Sequence, residues 1–258
     1  TTRALIPESA RTSAVILTRD DCTVAGGTVA ALCFRLVDRR IRTKVCVHDG
    51  TRARRGAVLL EIDGPARGIL TAERTALNLM QRLSGIATLT DKFVRVSRRY
   101  GVDVLDTRKT SPMQRVLEKY AVLCGGGRNH RMGLYDMILI KDNHRRFWSG
   151  SGKAGLGAAV ETARRAYPRL KIEIEVENEK ELRDALTESP DWILLDNMPP
   201  AQLKRCVAMA KGRCKLEASG GVTLQTIVSI AKTRVDAVSI GALTHSAPAV
   251  DLSLEICG

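Results

Sequence analysis

Aromatic side chains are scarce in this chain: phenylalanine, tryptophan and tyrosine make up 3% of its 258 residues. That leaves little surface on which the bases of a single strand could stack. Membrane-length hydrophobic runs are missing too. Apolar runs such as Met137–Ile140 and Trp192–Leu195 have the length of a strand, far short of the roughly 20 residues that span a bilayer. No basic-then-apolar leader follows Thr1, so no secretory signal is expected, and the chain reads as processed or as beginning part-way through a longer sequence. The seven cysteines are an odd number and include no C-x-x-C pair. A zinc site or a disulfide framework is thereby disfavoured, and reduced thiols in the cytoplasm are expected.

Cations are what the chain has in surplus. Lysine plus arginine number 41 against 28 acidic residues, a net charge of +13. Such an excess serves nucleic acid, or a site that collects highly anionic small molecules. No helix-turn-helix or zinc-finger spacing accompanies it, and no nucleic-acid partner is expected. Many of the cations come as pairs, such as Arg39–Arg40 and Arg164–Arg165, which fit solvated faces. The informative ones stand beside strand ends.

Residues 1–70 read as short strands and turns around one helix, with strands at Ala14–Thr18 and Ile41–Val47 and a helix over Ala25–Leu36. Asp49-Gly50 and Asp63-Gly64 read as turns. Thr71 is expected to cap a long helix, which Gly85 interrupts before helical character resumes over Ala87–Tyr100.

From residue 102 short apolar runs recur, mostly separated by helix-length amphipathic stretches: Val102–Asp106, Met137–Lys141, Lys171–Val176, Trp192–Asp196, Cys214–Ser219 and Val235–Ile240. That alternation predicts parallel strands with crossover helices. Nearly every run ends in chemically capable residues, and parallel strands put all their carboxyl ends on one rim. A doubly wound sheet would gather ligand from two or three strands; six armed ends favour an α/β barrel.

Four constellations stand on that rim. Asp106-Thr107-Arg108-Lys109 sets two cations beyond a buried strand, where an arginine can fork onto a carboxylate or phosphate. Ser111-Pro112 is expected to start the next helix; an exposed capped turn fits the same residues. Gly125-Gly126-Gly127-Arg128-Asn129-His130-Arg131 allows close backbone approach to an anion, though a helix terminator followed by solvated arginines fits as well. It is neither a P-loop nor a dinucleotide fingerprint. Lys141, Glu175 and Asp196 close three strands, and carboxylates facing a phosphate-rich ligand call for magnesium, while an ion pair in the barrel mouth is the plainer alternative. Ser219-Gly220-Gly221 and Gly241-Ala242 offer small residues for a phosphate cradle or for tight packing. His245 alone reads as structural.

Taken with TAERTALNLMQRLSGIATLT, LDTRKTSP, LEKYAVLCGGGRNHRMGLYDMILIKDNH, EIEVENEKEL, ILLDNM, LEASGGVTL and SIGALTHSAPAVDLSLEI, in order over residues 71–256, the chain resembles the quinolinate phosphoribosyltransferase family. The resemblance implies an open α/β sandwich over 1–83, followed over 84–258 by a catalytic, incomplete α/β barrel of about seven strands whose last residues return to the first domain, the type II phosphoribosyltransferase architecture. It implies transfer of phosphoribose from phosphoribosyl pyrophosphate (PRPP) to quinolinate with loss of carbon dioxide, with Mg2+ as cofactor. Arg108, His130 and Arg131, beside Thr107 and Lys141, would bind quinolinate, with Arg74 arriving from the second subunit of a homodimer. Lys109 and Lys141 would lie between quinolinate and pyrophosphate. Glu175 and Asp196 would face the ribose and the metal, directly or through water. Ser219, Gly220, Gly221, Gly241 and Ala242 would cradle the 5′-phosphate, with His245 nearby. Two departures stand out: Met113 occupies a position where the family usually has a small residue, and the chain begins inside a motif that members reach after a further segment. The rival readings are a molybdenum-transport-associated homologue, against which intact Lys141-Asp142-Asn143-His144 argues, and a basic nucleic-acid-binding barrel.

Overall fold

The computed structural model describes residues 1–150 and 155–257. The strands are β1 (Arg11–Thr18), β2 (Cys22–Thr23), β3 (Arg42–Val45), β4 (Arg52–Ala53), β5 (Val58–Pro65), β6 (Asp103–Leu105), β7 (Ile138–Ile140), β8 (Ile172–Val176), β9 (Trp192–Asp196), β10 (Lys215–Ser219), β11 (Ala237–Ser239) and β12 (Leu252–Cys257). They divide between two compact units. The first takes Thr1–Asp91, Thr110–Gly127 and the residues from Ala242 onward; the second takes Lys92–Lys109 and Arg128–Gly241.

The first unit is built on an antiparallel sheet in the order β12-β1-β5-β3. Period-two alternation puts Ala14 and Ile16 of β1 and Leu60 and Ile62 of β5 on one face. Phe34 of the helix Gly27–Val37 and Ile69, Leu77 and Met80 of the helix Ala66–Ser97 close that core. The opposite face is polar and carries the exposed pairs Arg11–Asp63 and Lys44–Glu61.

Three sequence expectations are corrected here. The long helix begins at Ala66, and Thr71 lies inside it, donating its hydroxyl back to the Arg67 carbonyl (2.7 Å). Gly85 does not interrupt the helix; a Cβ there would stand 2.0 Å from the Pro248 carbonyl oxygen, so glycine serves a close approach. Asp63-Gly64 is not a turn but part of β5, where Gly64 lets the Ile41 backbone come near.

The second unit is a parallel sheet in the order β6-β11-β10-β9-β8-β7. All five residues of β8 are buried, as expected of a parallel strand covered on both faces. Among the described residues six strands stand where about seven were expected, and the seventh position is a single parallel bridge between Leu105 and Arg128. Arg128 lies beyond β6, five strand spacings from β8, which on a flat sheet would be about 24 Å. Yet His130, two residues on, places its Nε2 2.9 Å from Glu173 of β8. Only a sheet curled upon itself can do this, and the unit is an incomplete barrel.

Candidate active site

The curled sheet aims alternate residues of each strand inward. In β8 these are Glu173 and Glu175, while Ile172, Ile174 and Val176 face the other way. The rim at the carboxyl ends then collects the turns that the sequence marked.

After β6, fully buried Asp106 accepts the His130 amide on Oδ1 (2.9 Å), and the Asp106 amide donates to the Arg128 carbonyl (3.2 Å). The segment 128–131 is thereby laid along β6. Thr107 Oγ1 accepts the Lys109 amide (3.0 Å) and fixes the turn that carries Arg108. Arg131 is buried and donates to the Met137 carbonyl (3.3 Å). Burial, and then the charge of Arg108, lowers the Arg131 pKa against the opposing pull of Glu173 and Asp136. Two guanidinium groups are thus held within reach of each other's charge.

His130 has both ring nitrogens engaged. Nδ1 accepts the Arg131 amide (2.8 Å), which leaves the ring proton on Nε2, pointing at Glu173 Oε2. Glu217 Oε2 of β10 lies 3.5 Å from the same nitrogen. Burial pushes the pKa of both glutamates up; Glu217 is raised further by the Glu173 charge, and the two carboxyl groups also hydrogen-bond each other.

At the next strand ends, Glu175 is buried and Asp196 half-buried. Glu175 is pushed up by burial first and by the Asp196 charge second, with Lys141 pulling the other way, which places the three in one electrostatic neighbourhood. Lys141 itself is exposed, its amide donating to His144 Nδ1 (3.0 Å). Asn197 holds φ 53° and donates from Nδ2 to Asp196 Oδ2 (2.7 Å), and its amide bonds the Ser219 carbonyl. Beside it Gly220 has φ 94°, and a Cβ there would meet Asn197 Oδ1 at 2.0 Å, so no other residue fits. Gly221 (φ 58°) faces open space.

Arg74, Ala242 and His245 belong to the first unit. Arg74 is exposed on its helix, 4.0 Å from Glu73. Gly241 ends the second unit, and the next residue opens the short helix Ala242–His245. His245 is exposed, with Nδ1 2.5 Å from Ser246 Oγ.

Some residues escaped the sequence reading. Asp106 and Asn197 stood inside quoted motifs without a role. Glu173 was noted in alternation with Glu175 and Glu177 along its strand, likewise without a role. Glu118 had no such signal. It is fully buried in the helix Arg115–Cys124, accepting Arg82 Nε (3.1 Å) and Nη2 (2.8 Å), the Ser111 amide (3.1 Å) and the Ser111 hydroxyl (2.8 Å). Ser111 was expected to cap that helix, but the helix starts four residues later and Ser111 ties the turn to Glu118 instead.

The family models for the quinolinate phosphoribosyl transferase N-terminal and C-terminal domains match residues 1–84 and 86–255. This chain belongs to the quinolinate phosphoribosyltransferase family. A probable nicotinate-nucleotide pyrophosphorylase (carboxylating) of Bacillus subtilis (strain 168) is 39% identical over 247 residues, covering 94% of this chain and 83% of that protein. A protein of the same description from Methanocaldococcus jannaschii is 40% identical over 269 residues, covering 99% and 90%. The solved nicotinate-nucleotide pyrophosphorylase from Francisella tularensis superposes with a TM-score of 0.92 at 39% identity, over 99% of this chain and 89% of that one. The family's fold, a mixed α/β architecture with a parallel barrel sheet, is therefore the fold of this chain.

Proposed function

We propose that this family member transfers the phosphoribosyl group of PRPP to the ring nitrogen of quinolinate, releasing pyrophosphate and carbon dioxide and forming nicotinate mononucleotide for NAD biosynthesis. Its relatives carry the name of that activity over nearly the full length of the chain. The observation that carries the reading within the chain is the approach of Arg108 to buried Arg131. With Arg131 buried and Arg108 half-buried, the two cations together form a site for a dianion, and quinolinate bears two adjacent carboxylates.

The residues then divide the work. Arg108 and Arg131 fork onto the carboxylates and orient the pyridine nitrogen toward the anomeric carbon. As pyrophosphate departs, positive charge develops on the ribose, and Glu175 and Asp196 are the carboxylates placed to offset it. Lys109 and Lys141 draw charge from the departing pyrophosphate. Ser219, Gly220, Gly221 and Gly241 offer backbone amides to the 5′-phosphate, with Ala242 and His245 following in the chain. The quaternised ring nitrogen then stabilises the carbanion formed as the neighbouring carboxylate leaves as carbon dioxide, and the ring carbon takes a proton.

Glu175, raised by burial and then by the charge of Asp196, would form with Asp196 the oxygen-rich set that magnesium prefers. When bound there, Mg2+ would neutralise pyrophosphate charge. The active assembly in this reading is a homodimer in which exposed Arg74 of a second copy completes the carboxylate clamp. The seven cysteines are free, which supports a cytoplasmic setting. No helix among the described residues is long and apolar enough to cross a membrane.

The test is substrate choice. With PRPP and magnesium, quinolinate should turn over and nicotinic acid, which lacks the second carboxylate, should not. Use of nicotinic acid in place of quinolinate would sink the two-carboxylate clamp.

A further inference from the structure

Two carboxylates of the barrel wall have no part in the reaction above. Glu173 and Glu217 are fully buried, and Oε1 of each lacks a hydrogen-bond partner among the described residues. Burying such groups is costly, and the residues on either side of each in its strand, Ile172 and Ile174, Leu216 and Ala218, are apolar and face the other way. A purely structural interior would be served by leucine or valine. What the pair does have in common is His130: its Nε2 lies 2.9 Å from Glu173 and 3.5 Å from Glu217.

The imidazole sits between the pair and the clamp. Because Nδ1 accepts the Arg131 amide, the proton is on Nε2, and the acceptor behind Nε2 is the second contact that holds this tautomer. We propose that Glu217, acting through its contact with Glu173, is a positioning residue for the dicarboxylate end of the site: the pair holds the His130 proton on Nε2, so that Nδ1 is turned onto the Arg131 backbone and the Arg131 guanidinium is set beside Arg108. The ligand named here rests on the quinolinate reading; the positioning rests on the geometry alone. Without Glu217, Glu173 loses a hydrogen-bond partner and is left to the nearby cations Arg131 and Lys141, which already draw on its charge. The imidazole is then free to change tautomer, and Arg131 loses its fixed pose.

The His130, Glu173 and Glu217 donor atoms lie within 4.8 Å of one another, so a divalent cation is the competing occupant. Arg131 and Lys141 already supply positive charge to Glu173, which makes a cation redundant there.

The experiment combines calorimetric titration of each substrate with nitrogen-15 NMR of the His130 ring. In the unmodified protein and in Glu217→Gln, His130 should be the Nε2–H tautomer. In Glu217→Leu it should become a mixture, with quinolinate binding weakened ~tenfold, as loss of one buried hydrogen bond implies. PRPP affinity should hold, because the Glu175, Asp196 and glycine positions are untouched. Glu217→Gln, which keeps a hydrogen-bonding group, should recover most of the loss. An Nδ1–H tautomer in the unmodified protein would overturn the proposal, whether or not the leucine variant folds. So would unchanged quinolinate affinity in Glu217→Leu, equal weakening of both substrates, or a His130 resonance that shifts on adding zinc. If the unmodified protein binds PRPP but no quinolinate, the substrate assignment fails while the tautomer result still decides the positioning.

Discussion

Met113 holds φ 62°, in the left-handed region, with its side chain 98% exposed. A small residue at this point, which the resemblance implies for the family, has a physical reason. The left-handed conformation costs roughly 1–2 kcal/mol for a residue with a Cβ, against about 0.4–1 kcal/mol of unfolded-chain entropy gained by glycine. Met113→Gly should therefore raise stability by roughly 0.5–1 kcal/mol, read from urea unfolding. Glu217 carries the opposite kind of signature. Its folded pKa is raised by burial first and by Glu173 second, so the folded protein holds that proton more tightly than the unfolded chain. The contribution is complete below the ordinary glutamate range and is lost as pH rises through the raised folded pKa. Unfolding free energy should fall over that window, and Glu217→Gln should flatten the fall; a pH-independent difference between the two proteins would contradict it. At this scale Arg108, Lys109 and Lys141 were legible because each ends a recognisable strand. Glu217 stands in the middle of β10, and its partners His130 and Glu173 are distant in sequence, so only folding brings them together.

Among the elements, the strands of the barrel were read nearly to the residue, Trp192–Asp196 without any shift, because their apolar runs are bounded by turns. The antiparallel strand Val58–Pro65 escaped, since its exposed face carries Glu61 and Asp63 and its Asp-Gly pair imitates a turn. The helix Ala66–Ser97 was cut at Gly85 for want of the one fact sequence does not carry, the Pro248 carbonyl lying against it. Gly85→Ala tests that account. Helix propensity alone would stabilise by about 1 kcal/mol, but a Cβ 2.0 Å from a backbone oxygen forces a shift worth roughly 1–3 kcal/mol or more, and the clash should win. A melting temperature above that of the unmodified protein would show the approach to be loose. The pair Arg82–Glu118 makes a second case: Glu118 is fully buried while Arg82 is 30% exposed, so Glu118→Ala should cost about 2–4 kcal/mol in chemical denaturation. Glu118→Gln, which keeps an acceptor for the guanidinium, should cost less.

For the whole molecule, the barrel was legible from a single argument, that six parallel strands with chemically armed ends share one rim. The reduced seventh strand was not, because that position has shrunk to one bridge at Arg128, and closure shows in the contacts of His130 with Glu173 and Glu217. The proposed homodimer is tested at this scale as well. Arg74→Ala and Lys141→Ala should each be inactive, and mixing them should restore part of the activity, because some hybrid sites carry neither lesion. No recovery despite proven subunit exchange would count against a shared site. The central claim is decarboxylating transfer, and carbon dioxide is its most direct witness. Quinolinate labelled in its 2-carboxylate, with PRPP and magnesium, should release labelled carbon dioxide in equal amount to the nicotinate mononucleotide formed. Mononucleotide formed without labelled gas, or no mononucleotide at all, would contradict the account.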